Sequence, residues 1–152
     1  MSEVLNEAFI SQAGFDDAKN FYSLISKEFS YLDLTLEKVF ARLSSKNSLV
    51  YKLTIKDKFA GLIDFQINGF EGFVFGVAVE EDFRGQGLGE TLLDFALDYF
   101  KQQAIKEVKL LVRKENTAAK RLYLKKGFKL IGLHDKPIDG AIVEEMVLTL
   151  DS

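Results

Sequence analysis

Apolar positions recur along this chain with two different periods, and the switches between them outline the fold. Val4 to Ile10 reads as a strand. After an Ala13-Gly14 break, Phe15, Ala18, Tyr22, Ile25 and Phe29 return at helical spacing, and Leu36, Val39, Phe40 and Leu43 form the stripe of a second helix with Thr35 as its N-cap. Alternation follows, with Leu49, Tyr51, Leu53 and Ile55 on one face, then Gly61, Ile63, Phe65 and Ile67, then Phe73, Phe75, Val77 and Val79. Lys56-Asp57-Lys58 and Asn68-Gly69 supply the hairpin turns between these three strands. From Gly87 the period becomes helical again, through Leu88, Leu92, Leu93, Ala96, Leu97, Tyr99 and Phe100. Glu107 to Arg113 is a strand rich in Val and Leu. Asn116 caps a short helix that Gly127 ends, and Phe128 to Leu133 and Ile142 to Leu150 close the chain as strands.

The order is β, α, α, β, β, β, α, β, α, β, β. Antiparallel hairpins flank one βαβ crossover, which joins parallel strands by a right-handed connection. The expected fold class is therefore α/β with α+β character: a mixed, mostly antiparallel sheet with one parallel pair. With 152 residues and 47% hydrophobic content the chain supports one core, so residues 1–152 are expected to form a single domain. Gly76 interrupts the third hairpin strand, where a glycine marks a bulge, a close backbone approach or simple local packing.

Composition removes several chemistries. The formal charge is -3 with basic residues scattered, so a nucleic-acid partner is not expected. There is no cysteine, which excludes disulfides, thiolate zinc sites and a cysteine nucleophile. A single histidine, His134, excludes a two-histidine metal motif, and no metal is expected. No apolar run reaches the roughly 20 residues that span a bilayer, and the N-terminus lacks a signal-peptide layout. The expected setting is the cytoplasm, with no membrane partner, as a monomer or homodimer.

One stretch calls for chemistry. A strand empties into RGQGLG, Arg84 to Gly89, and a helix starts at once. Glycines at a helix N-terminus present unpaired N–H groups and the positive end of the dipole, which suits phosphate, although such a loop can also serve packing alone. A cation at Arg84 is unfavourable beside that dipole unless an anion lies between them. Three loop types compete. The P-loop pattern fails because no Lys-Ser or Lys-Thr follows the glycines. The dinucleotide fingerprint GxGxxG is met by Gly85 and Gly87 but has Glu90 in place of its third glycine. The third type, Arg/Gln-x-x-Gly-x-Gly/Ala, is satisfied by Arg84, Gly87 and Gly89, and farther on NTAAKRLYLKKGF supplies Asn116, Ala119, Leu122, Tyr123, Lys125, Gly127 and Phe128.

Together these segments resemble the GNAT family of N-acetyltransferases, from about Phe73 to Gly132, with the preceding hairpins and AIVEEMVLTL fitting its topology. The resemblance implies the GNAT fold and acetyl-CoA as cosubstrate, its pyrophosphate on the amides of Arg84, Gly85, Gln86, Gly87, Leu88 and Gly89. It implies further that the pantetheine arm pairs like a strand with Val77, Ala78 and Val79, which requires the two parallel strands to splay. Asn116 is a helix cap and a candidate cofactor contact.

With no cysteine, and no serine paired with His134, a covalent enzyme intermediate lacks a nucleophile, and direct attack by an amine on the thioester is expected. Such attack needs the ammonium deprotonated, donors for the oxyanion and an acid for the departing thiolate. The resemblance gives the last role to Tyr123, a residue that otherwise reads as an ordinary helix-to-sheet contact. It offers Glu71 as the base; Glu80 and Glu81, nearer the glycine loop, are alternatives, and a solvated surface carboxylate is the plain reading of each. It also places the acceptor between FSYLDLT and HDKPIDG, so that Phe29, Tyr31, Asp33 and His134 are candidate contacts, with Asp135 and Asp139 nearby. Acidic groups beside aromatics could hold a cationic amine, either a small molecule or a peptide. Two other readings stay open: a non-catalytic acyl-CoA-binding regulatory module, and a nicotinamide dinucleotide oxidoreductase.

Overall fold

The computed structural model describes residues 7–29, 33–134, 137–138 and 141–150. Strand β1 (Ala8–Gln12) is followed by helices α1 (Ala18–Glu28) and α2 (Leu36–Ser44), then by β2 (Ser48–Ile55), β3 (Lys58–Asn68) and β4 (Glu71–Val79). Helix α3 (Leu88–Gln102), β5 (Glu107–Arg113), α4 (Thr117–Lys125), β6 (Lys129–Leu133) and β7 (Val143–Thr149) complete the order. The strands form one seven-stranded sheet, β1-β2-β3-β4-β5-β7-β6, in which β4 and β5 are the parallel pair and the other neighbours are antiparallel.

Two apolar layers sandwich this sheet. On one face Ala18, Phe21, Leu24 and Ile25 of α1 and Val39 of α2 pack on Val50, Leu62 and Ala78. On the other, Leu88, Leu92, Leu93, Ala96, Leu97 and Phe100 of α3 cover Leu53, Ile63, Phe65 and Val74. Each such side chain contributes about 1.5–3 kcal/mol by leaving water. Ala18, Ile25 and Val39 of the expected stripes are buried and Phe29 and Leu43 pack against them, but Phe21 and Leu24 are buried as well, while Tyr22, Phe15, Leu36 and Phe40 are exposed. An edge-on contact between Phe15 and Phe40 on the surface explains why both read as members of an apolar stripe.

Strand β4 departs from simple alternation. Asp64 of β3 faces Gly76 and Phe65 faces Val74, so Phe75 is an extra residue, a β-bulge. The bulge flips the strand: Val74 packs toward α3, whereas Ala78 packs toward α1. Phe73 and Phe75 therefore share a face, their rings 4.5 Å apart, while Val77 and Val79 join the α3 layer. One face for all four, as alternation implied, is thus corrected by a single inserted residue. At the same point the β4–β5 ladder stops. Pairing runs from Glu71↔Glu107 to Val74↔Leu110, after which β4 continues to Val79 and β5 to Arg113, with β5 held by β7 as far as Arg113↔Val143. The two parallel strands thereby open into a cleft. No helix among the described residues is long and apolar enough to cross a membrane.

Candidate functional site

The loop leaving β4 is built around two left-handed residues. Gly85 and Gly87 both have φ +79°, and a Cβ at either would meet nothing within 4 Å. Backbone conformation, not crowding, is what excludes side chains there. Gly87 is the N-cap of α3, whose first helical bond runs from the Thr91 N–H to the Gly87 carbonyl at 3.1 Å. The N–H groups of Leu88, Gly89 and Glu90 precede that bond and point out of the helix end, as an anion cradle requires. Gly89 is different: its added Cβ would touch Val79 Cγ2 at 3.9 Å, an ordinary contact that alanine tolerates.

Arg84 spans the loop and the strand. Its Nε donates to the Val79 carbonyl at 3.1 Å, and its guanidinium pairs with Glu28 at the end of α1. Glu90, at the position where a dinucleotide loop would have its third glycine, accepts from Lys125 Nζ at 2.5 Å and thereby ties the start of α3 to the end of α4. The Lys125 hydrogen bond, helped by Lys126, holds the Glu90 carboxyl below its ordinary range.

The open end of β4 and β5 is roofed by α4. Asn116 Oδ1 accepts from the Ala119 N–H at 3.1 Å, which caps α4 as the sequence indicates. Two turns later Tyr123 is 8% exposed, packed edge-on against Phe128 with ring centroids 5.7 Å apart. Asn116, Ala119 and Tyr123 line the cleft with Gly76 and Val77 of β4, Leu111 and Arg113 of β5, and Glu28. The structure thus brings Val77, Asn116 and Tyr123 to one cavity, with Arg84 bound to its Glu28 wall.

A second, larger cavity of about 310 Å³ adjoins it, sharing Phe29, Phe75, Gly76 and Leu111. Its remaining walls include Ile25 and Leu34 from the helical side and Ile138 and Val143 from the other end of the chain. A Cβ on Gly76 would lie 3.3 Å from Phe29 Cε2, so this glycine lets the Phe29 ring approach β4. The charged groups Arg42 and Asp64 also line this cavity. Burial pushes the Asp64 carboxyl up, against the lowering effect of its hydrogen bonds from Arg42.

The other expected residues fall as follows. Glu71 stands at the start of β4, where the ladder with β5 is intact, 3.7 Å from Lys109 Nζ. It lines a third recess with Gln66, Asn68, Phe73 and Lys109, and the structure does not bring it to the cavity of Tyr123. Glu80 and Glu81 lie in another recess with Lys27, Glu28 and Arg84. Asp33 is exposed, its main-chain carbonyl accepting from Lys38 Nζ at 2.6 Å. His134 is half-buried at the end of β6, with Nδ1 3.5 Å from Glu145 Oε1. Tyr31, Asp135 and Asp139 lie outside the described residues. The sequence reading missed Glu28, Arg42 and Asp64, of which only Asp64 left a signal, a lone charge inside the apolar run GLIDFQI; Leu34 and Ile138 were not singled out, but they lie in the FSYLDLT and HDKPIDG segments named for the acceptor.

Comparisons with known proteins bear on the family and the fold. Over 92 residues the chain is 35% identical to the [ribosomal protein bS18]-alanine N-acetyltransferase of Escherichia coli (strain K12), covering 60% of this chain and 62% of that protein, so the match spans about three fifths of the relative's length. The crystal structure of the ribosomal-protein-S18-alanine N-acetyltransferase from Escherichia coli superposes with a TM-score of 0.82 over 95% of each chain at 24% identity, a likeness of fold. An N-acetyltransferase from Thermoplasma acidophilum, solved in complex with coenzyme A, has the same fold, with a TM-score of 0.79 at 16% identity over 99% of this chain and 100% of that one. The family model described as "Acetyltransferase (GNAT) family" matches residues 15–128, which take in the bulged strand, the glycine loop and the helix of Tyr123 in one span, and the chain belongs to that family.

Proposed function

We propose that this protein is an N-acetyltransferase that moves the acetyl group of acetyl-CoA to the α-amine of a peptide by direct attack. The observation that carries the reading is the cleft in which the β4–β5 ladder stops at Val74↔Leu110, with the glycine cradle at the end of β4 and Tyr123 in the wall. The residues present fit acetyl-CoA, the acyl donor of the family. The outward N–H groups from Leu88 to Glu90 suit a pyrophosphate, and the stretch of β4 from Phe75 to Val79, unpaired by β5, suits an amide-bearing arm. The thioester supplies an activated acyl group.

Transfer forms one N–C bond and breaks one C–S bond, while the attacking nitrogen loses a proton and the departing sulfur gains one. Tyr123 is the proton donor for the sulfur, because its hydroxyl-bearing side chain lines the cleft between the splayed strands. Backbone N–H groups near Val77 are the donors for the acyl oxygen. Among the described residues the carboxylates lining the cleft of Tyr123, the 310 Å³ cavity and the recess beyond it are each engaged by a cation, Glu28 by Arg84, Asp64 by Arg42 and Glu71 by Lys109, while Glu80 and Glu81 lie in the separate recess of Arg84. An acceptor that sheds its proton without a strong base is therefore favoured. A peptide α-amine, with a pKa of about 7.7–8.0, meets that condition, and a lysine side chain near 10.4 does not. The alanine N-acetyltransferase named among the relatives supports the same choice.

Thermal unfolding with and without acetyl-CoA, followed by thiol release from acetyl-CoA on adding a peptide, tests the proposal. Stabilisation together with peptide-dependent release is expected. Stabilisation alone would make the protein a binding module; stabilisation by NAD but not acetyl-CoA would restore the dinucleotide reading; and no stabilisation at saturation would end the proposal.

A further inference from the structure

Three cavities lie side by side with shared walls, and their linings change character. The cleft of Tyr123 shares Phe29, Phe75, Gly76 and Leu111 with the 310 Å³ cavity, which in turn shares Phe73 and Phe75 with a recess of about 260 Å³ that holds Glu71 and Lys109. The middle cavity is walled by Ile25, Phe29, Leu34, Phe73, Phe75 and Ile138. Its charged members cancel, since Arg42 gives both a 3.0 Å and a 2.5 Å hydrogen bond to the two oxygens of Asp64. Among the described residues, a cationic or anionic group entering there would find no unpaired counter-charge, and it would lose its hydration. At about 310 Å³ the space lies at the small end of ligand cavities, of a size for one side chain and not for a folded partner. The outer recess is polar, with Gln66, Asn68, Glu71 and Lys109 at its rim, and can accept the main chain that leaves the apolar chamber.

We infer that the acceptor is a peptide whose first residue carries a large apolar side chain, held in the middle cavity, with its second and later residues passing over Phe73 toward Glu71 and Lys109. The inference rests on the N-acetyltransferase reading and makes it specific: alanine, the residue named for the bacterial relative, underfills this cavity. Glu71 becomes a contact for the acceptor chain.

The test uses hexapeptides identical after the first residue, beginning with Ala, Leu, Phe, Lys or Glu and carrying a dye at the C-terminus. Binding is read by anisotropy with CoA present, and transfer by thiol release. Leu or Phe peptides are expected to bind at least about tenfold more tightly than Ala, Lys or Glu peptides, the discrimination that a few methylenes in an apolar pocket provide. The Glu71→Ala/Lys109→Ala double variant is expected to raise KM for the Leu hexapeptide, and an unchanged KM overturns the path toward Glu71 and Lys109. Equal binding across the panel, or tightest binding of the Ala, Lys or Glu peptide, overturns the inference even where thiol release sustains the enzyme. Selective binding of Leu or Phe peptides without thiol release sustains the inference and overturns catalysis instead.

Discussion

The Arg42 guanidinium forks onto the Asp64 carboxylate and at the same time lies 4.0 Å from the ring centroid of Phe75, the bulge residue of β4. One side chain of α2 thereby fixes a buried carboxylate in β3 and a ring that lines all three cavities. Removing either partner leaves a charge in a poor place. Asp64 is 6% exposed, so Arg42→Met is expected to cost about 3–5 kcal/mol at neutral pH. The pH trend carries the sign. A carboxyl whose folded pKa is raised binds a proton more readily folded than unfolded, so its penalty is absent below the ordinary carboxylate pKa and grows as pH rises toward the folded value. Without Arg42 that folded value climbs further. Urea unfolding should therefore show the Arg42→Met deficit widening from pH 4 to pH 7, whereas Asp64→Asn, with nothing to titrate at that position, lacks this trend. A deficit equal at both pH values would mean that Asp64 ionises without help from Arg42.

Tyr123→Phe removes one oxygen from a side chain that keeps its packing on Phe128. A proton donor to the departing sulfur contributes about 10²–10⁴ in rate. The expected result is a fall of that size in kcat, with thermal stabilisation by acetyl-CoA retained. If kcat is unchanged, Tyr123 is a packing residue.

The glycine loop gives a paired comparison. Alanine at position 87 must adopt φ +79°, at a cost of about 1–2 kcal/mol, although its Cβ meets nothing within 4 Å. Alanine at position 89 makes only the contact with Val79 at 3.9 Å. Gly87→Ala should therefore lower Tm and weaken acetyl-CoA binding by about tenfold or more, the worth of one misaligned hydrogen bond to a charged group. Gly89→Ala should change both little. Titration of acetyl-CoA against the two variants by calorimetry checks this, and equal losses would place the ligand elsewhere.

Elements with a single strong local cause were legible in the sequence. Thr35 and Asn116 cap their helices as residue type implied, and β5 spans the Glu107 to Arg113 run of alternating Val and Leu. The RGQGLG loop could be recognised because its glycines answer to φ at Gly85 and Gly87, a property of the residue itself. What stayed hidden depends on partners distant in the chain. Gly76 signalled a bulge or close approach in β4, but that the inserted residue is Phe75 follows from pairing with Asp64 and Phe65, which no period along β4 reveals. Glu28 and Arg42 sit on helices whose polar faces look alike in sequence, and their roles follow from Arg84 and Asp64 lying opposite. Glu71 is offered as a base by the family resemblance, not by anything local to it. The structure shows that the ladder with β5 is still closed at that position, and the cleft opens only after Val74.

The proposed mechanism sets a pH dependence. With Glu28 held by Arg84 and Asp64 by Arg42, it leaves deprotonation of the acceptor to the acceptor's own acidity. For a peptide α-amine, kcat/KM should climb about tenfold per pH unit below its pKa of about 7.7–8.0 and level above it. For a lysine side chain the rise should continue toward about 10.4, leaving the rate at pH 7.5 on the order of a hundred times lower than that of an α-amine otherwise equally bound. Stopped thiol-release assays from pH 6 to 9.5 with both acceptors distinguish the cases. A plateau reached well below pH 7 with the α-amine would reveal a base acting in the enzyme; Glu71→Gln would then separate that role from acceptor binding, by lowering kcat if Glu71 is the base and raising KM if it holds the peptide.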